Sequence, residues 1–299
     1  MNFEKAIERM LVEPGKKIKL ESFETDFKTE NKGITREESE AFMKSGLDHM
    51  RRMTDKLYAE KKHSVLLVIQ AMDAAGKDSA VKHVMSGLNP VNVRVASFKA
   101  PTSLELGHDF LWRHQLVLPA KGEIGIFVRS HYENVLVTRV HPEYLLGENL
   151  PGIEKVEDVN KSLFEMRFRQ INDWERHLTE NGTTIIKVFL NQSKDEQKKQ
   201  FMERIEDPSK NWKFNIGDLK DRAVWDDFME AYEDMFNHTS TAWAPWYILP
   251  ADDRWYARLA LGAIVFCEFN KLDLGYPKVS AAEMEKLQEA KKILLAEED

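Results

Sequence analysis

The stretch Gln70-Ala71-Met72-Asp73-Ala74-Ala75-Gly76-Lys77-Asp78 decides the fold of this 299-residue chain. It follows the apolar run Val65–Ile69, which is typical of a buried strand, and it leads into a helical pattern through Val81, Val84 and Leu88. A tight loop between a strand and a helix points its backbone N–H groups inward, and the helix N-terminus adds positive potential. The stretch therefore predicts a phosphate-binding loop, in which the lysine supplies a further positive charge.

The loop departs from the usual phosphate-binding pattern in ways that predict a metal ion. Ala71 stands where a glycine is usual, Asp78 stands where Ser or Thr is usual, and Asp73 lies inside the loop. Acids beside bound phosphates repel them unless a divalent cation or a proton intervenes, so we expect Mg²⁺, with Mn²⁺ as an alternative. The residues expected to contact phosphate are Ala74, Ala75, Gly76, Lys77 and Asp78. The alternative interpretation is an ordinary helix start that carries a Gly-Lys pair by chance.

Apolar runs of strand length alternate with longer helical patterns, which is typical of a parallel sheet covered by helices. This order predicts a doubly wound α/β fold with three α/β/α layers and a parallel five-stranded sheet. The expected strands are Ser64–Gln70, Val91–Phe98, Ile124–Val128, Thr183–Leu190 and Trp246–Pro250. We expect a helical arm over 1–60, a core over 61–275 and a C-terminal helix over 276–299. Capping-box patterns predict helix starts at Thr35, Thr102, Ser193 and Ser280.

Composition restricts the classes of partner and compartment. The formal net charge of −7 argues against general binding of nucleic acid, and the single cysteine, Cys267, excludes an intramolecular disulfide framework. The longest apolar run, Leu259–Cys267, is too short to span a bilayer, and the N-terminus has no secretory pattern. We therefore expect a cytoplasmic protein with no membrane partner.

The exit of the third predicted strand carries a second group of candidate residues. Gly125–Val128 leads directly into Arg129, and the carboxyl end of a parallel strand faces the ligand crevice. Arg129 is thus expected to neutralise charge on a transferring phosphoryl group; the alternative is a surface ion pair. The acid that commonly holds magnesium at this strand end is replaced by Val128, so the metal is expected to depend on Asp73 and Glu133.

The region after the second predicted strand is the expected binding region for the acceptor. Lys99 follows the strand, and Asp109 and Arg113 lie on the next helical pattern. Lys99 and Arg113 could pair with an acceptor phosphate, or they could form a solvated basic face; the sequence leaves both interpretations open.

A charged segment over 207–222 has the features of a lid. Pro208 and Gly217 bracket an insertion within this segment. The segment is dense in Lys and Arg, so it could close over a polyanion. Its acids leave open the alternative of an ordinary charged surface.

The nine histidines show no metal-ligand spacing. No Ser or Cys nucleophile motif surrounds His131. We therefore expect His131 to be a hydrogen-bonded structural residue.

Four segments resemble the second polyphosphate kinase family, in order and with compatible spacing from about residue 35 to residue 272. They are Gln70–Asp78, Phe127–Val137, Asp207–Arg222 and Thr241–Tyr247. The resemblance is closest to the subgroup that phosphorylates both nucleoside monophosphates and diphosphates. It implies a thymidylate-kinase-like P-loop kinase fold with a helical lid. It also implies transfer of the terminal phosphoryl group of inorganic polyphosphate to AMP and ADP, giving ADP and ATP, with Mg²⁺.

The resemblance also implies roles for individual residues. Asp73 would bind metal and orient the acceptor phosphate, and Lys77 and Arg129 would stabilise the transferring group. The polyphosphate chain would be held by Arg204, Lys213 and Arg222. Apart from the resemblance, the residues that we expect to bind the nucleotide are Lys99, Asp109, Arg113 and Glu133. Val128 departs from the family's usual Asp or Asn. The implied partners are inorganic polyphosphate, adenine or guanine nucleotides and further copies of the chain in a dimer or tetramer.

Two other functions stay open at the level of sequence. A mononucleotide kinase that uses ATP as donor would need the same loop. A sensor that binds nucleotide or polyphosphate without turnover would need it too, although the presence of Lys77 and Arg129 argues against this third interpretation.

Overall fold

A computed structural model describes residues 3–26, 36–86 and 88–297 of the chain. The strands are β1 (Leu11–Val12), β2 (Ser64–Gln70), β3 (Val93–Ser97), β4 (Ile124–Val128), β5 (Thr183–Asn191) and β6 (Trp246–Pro250). The helices are α1 (Phe3–Met10), α2 (Arg36–Glu60), α3 (Lys77–Val84), α4 (Ser103–Leu106), α5 (Trp112–Gln115), α6 (Glu133–Val140), α7 (Lys161–Glu180), α8 (Lys194–Glu206), α9 (Asp218–Ala223), α10 (Trp225–Thr239), α11 (Arg254–Asn270) and α12 (Ala281–Ala296).

The strands form a six-stranded sheet in the order β1-β6-β5-β2-β4-β3. All neighbouring pairs are parallel except β1 with β6, in which Leu11 faces Tyr247 and Val12 faces Trp246. The predicted α/β class is confirmed, but the predicted number of strands was one too low. A two-residue strand is too short to show a periodicity of its own, so only its pairing with β6 reveals β1.

The predicted bounds of β2, β4 and β6 are confirmed, and β5 extends one residue further, to Asn191. The prediction for the second strand, Val91–Phe98, was too long. Residues Pro90–Asn92 form a 3-10 turn, so β3 begins at Val93 and ends at Ser97. β3 is also the edge strand, and its residues are partly exposed rather than buried on both faces.

The core lies on both faces of the sheet, as helices on two sides require. Alternate residues of β2 point to opposite faces: Leu67 belongs to the core under α2, α3 and α11, whereas Leu66 and Val68 belong to the core under α6, α7 and α10. All seven residues of β2 are buried, which explains their nearly continuous apolarity.

The predicted helix starts have three outcomes. Thr102 and Ser280 form capping boxes with Glu105 and Glu283. The Ser193 side chain accepts from the N–H of Glu196, but its own N–H donates to Asp252 (2.8 Å), so this cap is one-sided. Thr35 lies outside the described residues, and Leu88 lies beyond α3, which ends at Val84.

The two terminal segments differ in their packing. α2 packs against α11, and β1 pairs with β6. By contrast, every residue of α12 is exposed. In the described part of the chain, no helix has the length and apolarity needed to cross a membrane.

Candidate active site

The loop predicted to bind phosphate connects β2 to α3, as the strand–loop–helix pattern of the sequence indicates. Gly76 has a φ of +89° directly before α3, and Ala74 has a φ of +66°, a region that residues with a side chain rarely adopt. The Nζ of Lys77 donates to the carbonyls of Ala71 (2.7 Å) and Met72 (3.1 Å). The ammonium group therefore lies against the start of the loop, while Asp78 is exposed in the first turn of α3.

Asp73 and Arg129 form an ion pair between the loop and the end of β4. Nη2 of Arg129 donates to Oδ1 of Asp73 at 2.8 Å. Arg129 has a φ of +58° directly after β4, which is a strained conformation for an arginine. The two candidate residues, 56 positions apart in sequence, thus lie together because β2 and β4 are parallel neighbours.

The surroundings shift the pKa values of the two candidate carboxylates, Asp73 and Glu133, in opposite directions. Burial acts to raise the pKa of Asp73, but Lys77 and Arg129 outweigh it, so that the pKa of Asp73 is lowered. Burial raises the pKa of Glu133, and here the same two cations do not compensate for it. Burial also lowers the pKa of Lys77, against the attraction of Asp73. Asp73 is therefore the more firmly ionised carboxylate of the two.

A cavity of about 420 Å³ opens beside this ion pair. Asp73 and Arg129 form part of its wall, so the cavity begins where the loop and β4 meet. The four residues expected to bind nucleotide also line it: Lys99, Asp109, Arg113 and Glu133. A cavity of this size is in the range of small-molecule sites, and the sheet brings these residues together from four segments of the chain.

Arg113 has a fixed position in the wall of this cavity. Its Nη2 donates to the carbonyl of Lys99 (2.7 Å), its Nη1 lies 3.5 Å from Glu105, and the guanidinium lies 5.1 Å from the centre of the Phe98 ring. A guanidinium held on three sides is ordered, which fits an anchor better than it fits a solvated basic face.

The three residues expected to hold polyphosphate do not line the cavity. Arg204 lies 3.6 Å from Asp218, and its Nη1 donates to the carbonyl of Lys213 at 3.3 Å. The side chain of Lys213 is exposed, with its Nζ 5.1 Å from the centre of the Trp212 ring. Arg222 donates to the carbonyl of Lys194 at 2.6 Å.

Gln197 was missed at the level of sequence, although it connects the lid segment to the loop. Its Nε2 donates to the carbonyl of Asp73 (3.1 Å), and its Oε1 accepts from Arg222 (3.0 Å). Gln197 is buried, and it lies in the first turns of α8, which follows β5. The rule that found Arg129, namely position just after a parallel strand, could also have found it.

Arg254 was missed as well. It begins α11, four residues after β6 ends, and its guanidinium contacts Gln200 and lies 3.5 Å from the carbonyl of Ala74. A second basic side chain thus lies beside the loop, near Ala74.

The donors near the loop fit a magnesium ion. Asp73 and Glu133 both line the cavity and offer carboxylate oxygens. Oε1 of Gln70 is buried and has no hydrogen-bond partner among the described residues. Mg²⁺ prefers oxygen ligands and commonly takes only one or two carboxylates, with water and phosphate completing its shell. In the described ranges, no cluster of three or more His, Cys, Asp or Glu side chains forms a ready metal site.

His131 is hydrogen-bonded, as predicted: it is fully buried, outside the cavity lining, and its Nε2 lies 3.2 Å from Oε1 of Glu175.

Comparison with known proteins assigns the chain. The model of the family described as Polyphosphate kinase 2 (PPK2) matches residues 34–145 and 148–273. The chain belongs to the polyphosphate kinase 2 family. The resemblance of its four motifs is thereby confirmed.

Similar proteins match most of the chain. An ADP-polyphosphate phosphotransferase of Rhodopseudomonas palustris is 44% identical over 261 residues, which are 87% of this chain and 89% of that protein. An AMP/ADP-polyphosphate phosphotransferase of Meiothermus ruber is 42% identical over 271 residues, 91% of this chain and 96% of that protein. The crystal structure of polyphosphate kinase 2 from Arthrobacter aurescens TC1 superposes with a TM-score of 0.81 at 38% identity, covering 93% of this chain and 98% of that one.

Proposed function

We propose that this PPK2 protein transfers the terminal phosphoryl group of inorganic polyphosphate to AMP and ADP, giving ADP and ATP. The similar proteins named above are described as phosphotransferases of this kind, with ADP or with both AMP and ADP as acceptors. A more distant relative from Pseudomonas aeruginosa is described as a GDP-polyphosphate phosphotransferase, so guanine nucleotides are included as candidate acceptors.

The observation that carries this proposal is that the Asp73–Arg129 pair joins the loop to the end of β4 and forms part of the cavity wall. A donor phosphate on the loop and an acceptor phosphate in the cavity would meet at this pair. Holding two reactants in this geometry converts a bimolecular step into a nearly unimolecular one.

The reaction is an in-line displacement on phosphorus. An oxygen of the acceptor's terminal phosphate attacks the terminal phosphorus of the polyphosphate. The bond from that phosphorus to the bridging oxygen breaks, and polyphosphate one unit shorter leaves with the electron pair. Lys77 and Arg129 would offset the negative charge on the transferring group, which is the main catalytic need in phosphoryl transfer.

Asp73, Glu133 and Gln70 are the residues that would hold Mg²⁺, and Asp73 would be the principal ligand because it is the more firmly ionised carboxylate. Bound Mg²⁺ neutralises phosphate oxygens. Asp73 would also hold Arg129 through their 2.8 Å contact, so that the cation and the guanidinium act on the same phosphoryl group.

Arg204, Lys213 and Arg222 are proposed to contact the polyphosphate chain beyond the loop. The proposal is supported by a chain of hydrogen bonds from the lid segment to the loop: Arg222 donates to Gln197, and Gln197 donates to the carbonyl of Asp73. We also propose that the protein works in the cytoplasm. Assembly into a homodimer or homotetramer stays a prediction.

The proposal is tested by incubating the protein with polyphosphate, AMP and Mg²⁺ in the absence of ATP. We expect ADP and ATP to form. Lys77→Ala and Asp73→Asn should each lower turnover by about two or more orders of magnitude, since the first removes a cation that offsets phosphate charge and the second removes the carboxylate that would hold Mg²⁺ and Arg129. Circular dichroism should show that both variants stay folded.

The same assay separates the alternatives. Phosphorylation of AMP only when ATP is supplied would identify an ATP-dependent mononucleotide kinase. Binding without turnover across donors, metals and pH values would identify a sensor. Substantial activity of either variant would show that the roles given to these residues are wrong.

A further inference from the structure

A cluster of four charged or polar side chains is buried behind the site. We call it the buried cluster; its members are His131, Tyr132, Glu175 and Lys187, and each is fully buried. None of them lines the 420 Å³ cavity. They come from the turn after β4, from α7 and from β5. The cluster thus connects three elements without reaching the space where substrates would bind.

The hydrogen bonds of the buried cluster converge on Glu175. One carboxylate oxygen, Oε1, accepts from the hydroxyl of Tyr132 (2.7 Å) and lies 3.2 Å from Nε2 of His131. The other, Oε2, accepts from Nζ of Lys187 (2.6 Å). Lys187 donates in addition to the Tyr132 hydroxyl (2.8 Å) and to the carbonyl of Thr239 (2.7 Å).

Stability alone gives a weak reason for such a cluster. Moving two charges out of water is costly, and apolar residues of similar volume often stabilise a folded protein as well as a buried ion pair does, or better. What charged groups add is direction, because each bond fixes the position of a particular atom. The atoms fixed here are Nε2 of His131 and the hydroxyl oxygen of Tyr132, on two consecutive side chains.

Those two residues lie between Arg129 and Glu133, two of the candidate active-site residues. The backbone of Arg129 has a φ of +58°, and a strained residue keeps its conformation only when its surroundings hold it there. Ser130 is held on the same turn, since its hydroxyl accepts from Nε2 of Gln70 (3.0 Å). The segment from Arg129 to Glu133 is therefore tied to the protein interior through Ser130, His131 and Tyr132.

We infer that the buried cluster is a positioning device, in which Glu175 and Lys187 hold His131 and Tyr132. The cluster thereby keeps the Arg129 guanidinium in contact with Asp73, and it keeps Glu133 in the cavity wall. Its members are positioning residues, since none lines the cavity. The catalytic consequence rests on the proposed function, in which Arg129 acts on the transferring phosphoryl group.

Tyr132→Phe tests this inference, because it removes the hydroxyl that bonds to both Glu175 and Lys187 and leaves the ring. Tyr247→Phe is a matched control: this tyrosine is also buried and its hydroxyl also donates to a glutamate, Glu268, at 2.8 Å, but Tyr247 lies on β6, which β5 and β2 separate from β4. We expect Tyr132→Phe to lower kcat by about tenfold or more, since a displacement of about 1 Å can cost up to a hundredfold. The KM values for AMP and polyphosphate should change by less than about twofold, because ground-state binding is retained. Tyr247→Phe should leave kcat and KM unchanged.

Coupling to Arg129 separates positioning from a merely structural role. In an Arg129→Lys background, Tyr132→Phe should lower kcat by much less than in the wild type, since the group that it positions has already been replaced. An equal loss in both backgrounds would overturn the inference, and so would equal effects of Tyr132→Phe and Tyr247→Phe.

A structural readout keeps the test independent of the proposed activity. A crystal structure of Tyr132→Phe should show the Arg129 guanidinium displaced from Asp73, whereas the Tyr247→Phe structure should retain the contact. An unmoved Arg129 would refute positioning even if the protein catalysed some other reaction. Absence of polyphosphate-dependent turnover in the wild type would instead refute the proposed function alone. If Tyr132→Phe does not fold, His131→Leu, which removes the other contact to Oε1 of Glu175, takes its place in each comparison.

Discussion

Asp73 and Glu133 illustrate how neighbouring residues of one chemical type acquire different properties. Both are carboxylates in the wall of the same cavity, yet the pKa of Asp73 is lowered and the pKa of Glu133 is raised. The difference follows from position, since Arg129 is hydrogen-bonded to Asp73 and burial dominates at Glu133. A divergent pair of this kind is typical of active sites, in which like groups take unlike roles.

His114 gives a pH-dependence at the same scale. Burial, together with the nearby His131 and Arg113, lowers the pKa of His114 to about 2 from an ordinary value of 6.5. Between those pH values the unfolded chain binds a proton that the native state does not bind, so the free energy of unfolding falls as the pH falls below 6.5. The contribution approaches about 1.4 kcal/mol per pH unit.

Urea unfolding at pH 7, 6 and 5 measures this contribution. We expect His114→Gln to show a shallower loss of stability with falling pH than the wild type. His177→Gln is the matched control, because His177 is exposed, and its slope should equal that of the wild type. Equal slopes for the wild type and His114→Gln would contradict the expectation.

At the scale of the element, β4 is a closely packed strand that positions the candidate residue Arg129. It lies between β2 and β3, and it ends directly at Arg129. Gly125 in this strand has no space for a side chain: an added Cβ would lie 2.7 Å from Cδ and 2.9 Å from Cγ of Pro119. Close contact of the strand with this rigid ring therefore requires glycine.

We expect Gly125→Ala to lower the free energy of unfolding by about 1–3 kcal/mol, as overpacking does in other cores. Gly46→Ala in α2 is the control, since an added Cβ there would have no atom within 4 Å. The control should be neutral or stabilising by up to about 1 kcal/mol, because alanine favours a helix interior more than glycine does. Equal denaturant midpoints for the two variants would contradict the steric explanation.

At the scale of the whole molecule, the C-terminal segment contributes little to the core. Leu274 is buried and Leu272 packs against the core, whereas residues 275–297 are all exposed. The predicted boundary between the core and the C-terminal helix at residue 276 stays a prediction, and truncation can test it.

Truncation after Gly275 should change the thermal midpoint by less than about 2 °C, because removing exposed residues alters stability by fractions of a kcal/mol. Truncation after Lys271 should lower the midpoint by several degrees, since it also removes Leu272 and Leu274 from the core. A large loss of stability in the first variant would show that the helix belongs to the folded unit. Differential scanning calorimetry at fixed protein concentration measures both.

The sequence by itself determined the α/β class, the position of the loop between β2 and α3, and the bounds of β2, β4 and β6. These features depend on neighbouring residues: a run of buried apolar side chains, a small-residue turn and a helix start leave local patterns. Position after a parallel strand was also sufficient to single out Arg129.

Only the tertiary structure decided which distant residues meet. Strand order places Asp73 against Arg129, and packing of α7 on the sheet joins Glu175 to Lys187. The antiparallel pairing of β1 and the contact of Gln197 with Asp73, 124 positions away, have the same origin. Local periodicity carries no information on the order of strands, so these contacts follow from the way the whole chain buries its apolar faces.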